Sequence, residues 1–195
     1  MKLELGGLYQ TDFDDLPIKI IGFDDYEVLY DSQWEEGKWM FSDNLRRKSS
    51  FYRISTDFFK KKSSFIKSQD LNEKEYEIFR PDLPIRFGRY RDYSWNNLKG
   101  ENLENVEKEL SSESLNINRL FLIPFGPKGG LKKSVQIESE VNLTLFEVIK
   151  AAQEIQESVN NEMTNGIGIF RDGFEKGIPS YYIGEYIDRA NNVLN

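Results

Sequence analysis

The amino-acid sequence predicts an α+β protein, and three observations carry that expectation. Short runs rich in β-branched and aromatic residues recur through the first 67 residues, separated by Gly and Asp. One amphipathic helix is written after Thr144, and strand-like runs lie on both sides of it. The first stretch reads as a small β-barrel-like lobe of SH3-like type over 1–67, and the remainder as an α+β lobe over 68–195.

In chain order, Ile18 to Phe23 and Tyr26 to Tyr30 are expected as strands flanking a tight turn at Asp24-Asp25. Lys38 to Phe41 and Phe51 to Ile54 follow as further strands. Ser55, Thr56 and Asp57 offer capping oxygens ahead of Phe58-Phe59, which predicts one helical turn there. Ser63 to Glu73 is polar enough to connect the lobes. Glu75 to Phe79 and Pro84 to Tyr90 alternate and are expected as strands. Leu103, Val106 and Leu110 recur at helical spacing within a polar excursion, so a short surface helix is expected there.

The helix after Thr144 has the most explicit start signal. Thr144 and Glu147 have the spacing of a capping box, in which hydroxyl and carboxylate satisfy each other's backbone donors. Leu145, Val148, Ile149, Ala152, Ile155 and Val159 then form one apolar stripe, with Lys150, Gln153, Glu154 and Glu157 directed away from it. Strands are expected at Leu120 to Ile123 and Val135 to Glu138. A final hairpin is expected around Asp172-Gly173, and a short terminal helix with Ile187, Ala190 and Leu194.

Composition narrows the chemistry. The 195 residues include no histidine and no cysteine, against 14 Phe, 10 Tyr and 3 Trp. Ser-His-Asp and Cys-His nucleophile systems are excluded, and tetrahedral zinc and iron-sulfur sites lose their usual ligands. No cofactor or metal is expected, and any catalysis would fall to carboxylates or a perturbed lysine. The longest plain apolar run is Leu120 to Ile123, too short for a signal-peptide core or a membrane span, so a cytoplasmic setting without membrane attachment is expected.

Charge is unevenly spread. The chain is −7 overall, yet residues 1–43 carry eleven acids against three lysines, and residues 44–67 carry eight cations against Asp57. Within the basic band, Arg46, Arg47, Lys60, Lys61 and Lys62 are candidate anion-binding residues; through them the alternative function, weak and salt-sensitive nucleic-acid binding, would run. The rest of the field opposes such binding.

Several patterns bear on chemistry. Gly126 to Ser134 superficially resembles a phosphate-binding loop, but its Lys-Ser pair lacks the preceding Gly and a strand, not a helix, follows it. Asp12, Asp14, Asp15, Asp24 and Asp25 lack calcium-loop spacing and sit where turns are expected. Glu138 and Glu140 share a strand face as a carboxylate pair for a metal-dependent enzyme, the second alternative, without an identifiable third partner. Trp34, Trp39 and Tyr30 suit either ordinary packing or an aromatic cage for a cation.

Arg86, Arg89, Tyr90, Arg91, Tyr93 and Trp95 interleave guanidinium groups with rings, the residue types that dominate binding hot spots. With catalytic side chains scarce and the N-terminal segment acidic, the expected function is non-catalytic recognition of a protein partner with a basic surface, by a bacterial-type adaptor or immunity protein.

Overall fold

A computed structural model describes residues 1–44, 48–87, 102–160 and 166–186 of the chain. It is an α+β structure, and its contacts divide it into two compact units, Met1–Ile85 with Asp172–Pro179, and Arg86–Arg171 with Ser180–Asn195.

The first unit contains, in chain order, β1 (Leu8–Thr11), β2 (Ile18–Phe23), β3 (Glu27–Asp31), β4 (Gln33–Glu35), β5 (Lys38–Trp39), β6 (Ser49–Ser50), β7 (Tyr52–Ser55), α1 (Thr56–Lys62), β8 (Ser63–Lys67) and α2 (Glu73–Phe79). Five of the strands form an antiparallel sheet in the order β7-β3-β2-β1-β8, and β4 pairs with β5 separately. The sheet is open: among the described residues no pairing joins β7 to β8, so a closed barrel is not formed. At the β8 edge, Phe65 lies opposite Tyr9 and Lys67 opposite Leu8, which leaves Ile66 as an extra residue. A bulge and a lysine are both features that discourage edge-to-edge association.

Both faces of this sheet are covered. Tyr9, Ile18, Ile20 and Val28 pack with Leu3 and with Phe59 of α1, while Ile21 and Leu29 pack with Phe41, Phe51, Phe79, Ile85 and Phe174. The adjacent pairs Ile20-Ile21 and Val28-Leu29 therefore serve opposite cores, as the two-residue period of a strand requires. Asp24 organises the β2–β3 turn by accepting from the backbone N–H groups of Tyr26 at 2.7 Å and Glu27 at 2.8 Å. Ser55 caps α1 by accepting from the Phe58 N–H, and that helix runs seven residues, longer than the single turn expected.

Two expectations are corrected here. Ser63–Lys67 is a strand, not a connection. Glu75 to Phe79 is helical, because Asn72 accepts from the Glu75 N–H at 2.9 Å and Glu75 accepts from the Asn72 N–H at 3.1 Å, a capping box that starts α2. In a helix Glu75 and Phe79 share a face, and both are buried.

The second unit contains β9 (Arg86–Phe87), α3 (Asn102–Leu110), β10 (Arg119–Ile123), β11 (Val135–Glu138) and α4 (Leu145–Val159). It also takes most of β12 (Gly166–Glu175) and β13 (Ile178–Tyr186). β10 lies between antiparallel β11 and parallel β13; β12 neighbours β13 and pairs with β9. The helix of α3 falls where the Leu103, Val106 and Leu110 spacing placed it. The final hairpin turns at Lys176-Gly177, not at Asp172-Gly173, and both turn residues have positive φ, 55° and 75°. Gly173 instead pairs with Ser50, where a Cβ would meet the Ser49 carbonyl oxygen at 1.7 Å. Residues 124–131 form a hairpin loop closed by the Gly126 N–H on the Gly130 carbonyl at 3.1 Å, and β11 follows it. The expected terminal helix lies outside the described residues. Among those described, no helix is long and apolar enough to cross a membrane.

α4 begins as its sequence dictates. The Thr144 hydroxyl accepts from the Glu147 N–H at 3.2 Å, and Glu147 accepts from the Thr144 N–H at 2.7 Å. Leu145, Val148, Ile149 and Ala152 enter a core with Leu120, Leu122, Ile169, Tyr181 and Ile183. One glutamine departs from the expected pattern, and a second lies outside it. Gln153 is buried rather than turned away; Gln156, fully buried, donates to the Phe125 carbonyl at 2.8 Å and accepts from its N–H at 3.0 Å. Ile155 is only partly buried, so its truncation should cost less than that of Ile149. Ile149→Ala is expected to lose ~2–5 kcal/mol and Glu154→Ala less than ~0.5 kcal/mol, measured by urea denaturation. Equal losses would mean that the helix buries a different face.

Candidate functional site

The β1–β2 loop, β3, β7 and α1 bring four rings to the surface of the first unit. Tyr30 and Tyr52 are direct cross-strand partners and stack with centroids 5.5 Å apart. Phe13 approaches Tyr30 at 6.0 Å and Phe58 at 6.1 Å. Phe13, Tyr52 and Phe58 keep 36, 40 and 45 % of their surface exposed. Several half-exposed rings in mutual contact form an apolar patch, unlike scattered surface aromatics, which need no explanation.

Charged residues of both signs adjoin these rings in sequence or helix register, Lys61 and Lys62 standing three and four residues after Phe58 on α1. Asp14 and Asp57 neighbour Phe13 and Phe58 in sequence, and Asp15 and Asp57 are exposed. Asp14 is held by the Ser32 hydroxyl, which donates to Oδ2, and by the Leu16 N–H at 3.4 Å from Oδ1. Burial, followed by the negative charge of Asp14 and the neighbouring Tyr52, pushes the Tyr30 hydroxyl above its ordinary range. Asp12, also beside Phe13, pairs with Lys62 at 3.3 Å.

Beneath the sheet, on the face opposite these rings, lies a buried ionic cluster. Lys19 and Asp31 are cross-strand partners in β2 and β3, and Glu75 of α2 meets the Lys19 ammonium at 2.6 Å. Asp31 accepts from the N–H groups of Phe41 and Ser42 at 2.9 Å each and from the Ser42 hydroxyl at 2.8 Å. The ammonium also sits 4.6 Å from the centroid of Trp39. Burial pushes the Asp31 carboxyl above its usual range despite those donors and Lys19. For Glu75, burial again pushes upward, but hydrogen bonds from Lys19, Ser42 and the Asn72 backbone, with the Lys19 charge, outweigh it and hold the carboxyl low. A convergent Asp, Glu and Lys thus exists here, although sequence spacing did not reveal it. Lys19, Asp31 and Glu75 are respectively 1, 0 and 5 % exposed, so the cluster fastens α2 to the sheet and offers no surface to a substrate.

Of the residues singled out from sequence, Arg86 is half-buried on β9, opposite Phe170. Arg89, Tyr90, Arg91, Tyr93 and Trp95 lie outside the described residues, as do Arg46 and Arg47. Lys60, Lys61 and Lys62 form the exposed last turn of α1. The three rings that suit a cage are engaged with groups of the chain itself: Trp39 with Lys19, Trp34 with Lys38 at 4.8 Å, and Tyr30 with Tyr52. Glu138 and Glu140 are both exposed, and among the described residues no group of three or more acidic side chains is placed to hold a metal ion.

The four-ring patch was missed because its members come from four elements. One signal was available in the sequence: Phe58-Phe59 gives α1 two adjacent rings, of which a single buried stripe can absorb only one. No protein-family model, curated protein or solved structure matches this chain.

Proposed function

We propose that this chain is a non-catalytic protein-binding module of the kind used by bacterial immunity and adaptor proteins, acting in the cytoplasm on a partner with a basic surface. The observation that carries this is the contact chain Phe58, Phe13, Tyr30 and Tyr52, with Asp14 acting on Tyr30. Rings supply the desolvated anchors that set dissociation rate, and the carboxylate supplies charge complementarity that speeds encounter and disfavours wrong partners. The net acidity of residues 1–43 extends the same field. The SH3-like reading of the N-terminal lobe belongs to this proposal and is supported by five short antiparallel strands with register shifts at Leu8/Tyr9 and Ile20/Gly22.

Exposed Lys60 and Lys61 favour weak nucleic-acid binding as a second reading. Affinity capture from the native host, with the full chain as bait at low and moderate salt, separates the two. A basic protein should be retained by the wild-type chain and by Lys60→Glu/Lys61→Glu, and be lost by at least about tenfold with Tyr52→Ala/Phe58→Ala. Retention that is indifferent to the ring substitutions, or an oligonucleotide as the sole stabilising species, would sink the protein-binding reading.

A further inference from the structure

We infer that a second copy of this chain pairs with β11, joining two sheets edge to edge about a two-fold axis at Gln136. This surface belongs to the second unit and is independent of the ring patch. Among the described residues β11 is an outer strand of its sheet, with β10 on one side. Its register with β10 is unbroken from Val135 to Glu138, and just beyond it the Ser139 N–H donates to the Asn118 carbonyl at 2.9 Å. Backbone groups alternate sides along an antiparallel strand, so Val135 and Ile137 address β10 as Ser139 does, while the N–H and C=O groups of Gln136 and Glu138 point outward. Such a row is a template for another strand unless something blunts it. β8, an edge of the other sheet, carries a bulge and Lys67; β11 has no bulge, lysine or proline within it.

The sequence around Gln136 is complementary to itself in reverse order. Antiparallel pairing of Gln136 with Gln136 sets Val135 opposite Ile137, an apolar cross-strand pair made twice, and Val135 has 41 % of its surface exposed. Ile137 already packs against the core that includes α4, so the new pairs extend an existing apolar face. Counting further from Gln136, Lys132 falls opposite Glu140 and Leu131 opposite Val141, and all four are exposed. Leu131 is held beside the continuation of β10 by its bridge to Phe125. Charge selects the orientation. Lys132 and Lys133 precede the strand while Glu138 and Glu140 end it, so antiparallel copies set opposite charges together and parallel copies would set like charges together. A nucleic-acid backbone, anionic throughout, would meet Glu138 and Glu140 with its phosphates.

The test is sedimentation equilibrium of the full chain from about 5 to about 500 µM. A four-residue edge buries less than an obligate interface, so the 22.9 kDa chain should pass from monomer to dimer within that range, and a two-fold contact should stop growth at the dimer. Gln136→Pro removes an outward N–H and leaves the β10 ladder intact; it should weaken the dimer at least about tenfold with an unchanged thermal melt of the dilute monomer. Lys132→Glu and Glu140→Lys should each weaken it by about threefold or more, and the double variant, which restores opposite charges across the axis, should return to within about twofold of wild type. These surface exchanges spare the backbone and decide the matter should Gln136→Pro fail to fold. A monomer throughout the range, assembly beyond the dimer, a dimer indifferent to Gln136→Pro, or a double exchange no better than the single ones would overturn the inference. None of these outcomes touches the ring patch, whose own test is partner capture.

Discussion

Lys19→Ala is expected to destabilise the protein by ~3–5 kcal/mol, because it removes the ammonium facing two carboxylates that remain sealed in the interior. The position makes this cost steep. Lys19 is 1 % exposed between Asp31 across the strand pair and Glu75 on α2, so little water reaches the site to replace it. The double variant Lys19→Met with Glu75→Gln should lose less than Lys19→Ala, since no ionised group is left unpaired at position 75. pH adds a second readout with a definite sign. In the native chain the Glu75 carboxyl is held low, so its stabilising contribution is present above the ordinary carboxylate range and is lost as pH falls through its depressed value. Asp31 is held high, so it opposes this: its contribution is present in acid and is lost as pH rises through the elevated value. Without Lys19 the lowering influences on both carboxyls weaken and burial dominates. The deficit of Lys19→Ala should therefore be larger near pH 7 than near pH 4 in parallel urea titrations. A pH-independent deficit below ~1 kcal/mol would mean that the ion pair does not hold α2 to the sheet.

Local signals were legible in this sequence where one element carried them alone. The Thr144 and Glu147 spacing located α4, and Leu103, Val106 and Leu110 located α3, because capping and periodicity are written within a few consecutive residues. Glu75 to Phe79 shows the opposite case. Its alternation fits a strand, yet the deciding interaction is the reciprocal bond between Asn72 and Glu75, whose cap residue precedes the alternating run. Gln156 is a further case that no local pattern reveals: its burial depends on Phe125, 31 positions away, whose backbone supplies a donor and an acceptor for its amide. The candidate site was illegible for a related reason. Phe13, Tyr30, Tyr52 and Phe58 become neighbours only through the β3–β7 register and the seating of α1, neither of which any local pattern announces. The buried cluster depends on the β2–β3 register, which places Lys19 opposite Asp31, and on the seating of α2, which brings Glu75 to Lys19 from 56 positions away.

Phe174→Ala is expected to cost ~3–5 kcal/mol, and comparison with Tyr52→Ala separates the structural from the recognition end of one continuous set of rings. From Tyr52, ring contacts pass inward to Phe41 at 5.2 Å, then to Phe51 at 5.9 Å, and from Phe51 to Phe174 at 6.0 Å and Phe79 at 5.9 Å. Exposure falls along that path from 40 % at Tyr52 to 6 % at Phe41 and Phe51 and 0 % at Phe174. Truncating the innermost ring leaves a cavity that Ile21, Leu29 and Ile85, already packed around it, can fill only by moving the sheet. Truncating Tyr52 removes a ring that water already reaches, and its loss should stay near ~1 kcal/mol, mostly from the stack on Tyr30. The two variants should then split by assay: Phe174→Ala shifts the denaturation midpoint strongly while the folded fraction still retains partner, and Tyr52→Ala loses partner with a midpoint close to wild type. A Tyr52 variant as unstable as Phe174→Ala would show that the surface rings belong to the core, and would remove the physical basis for assigning them to recognition.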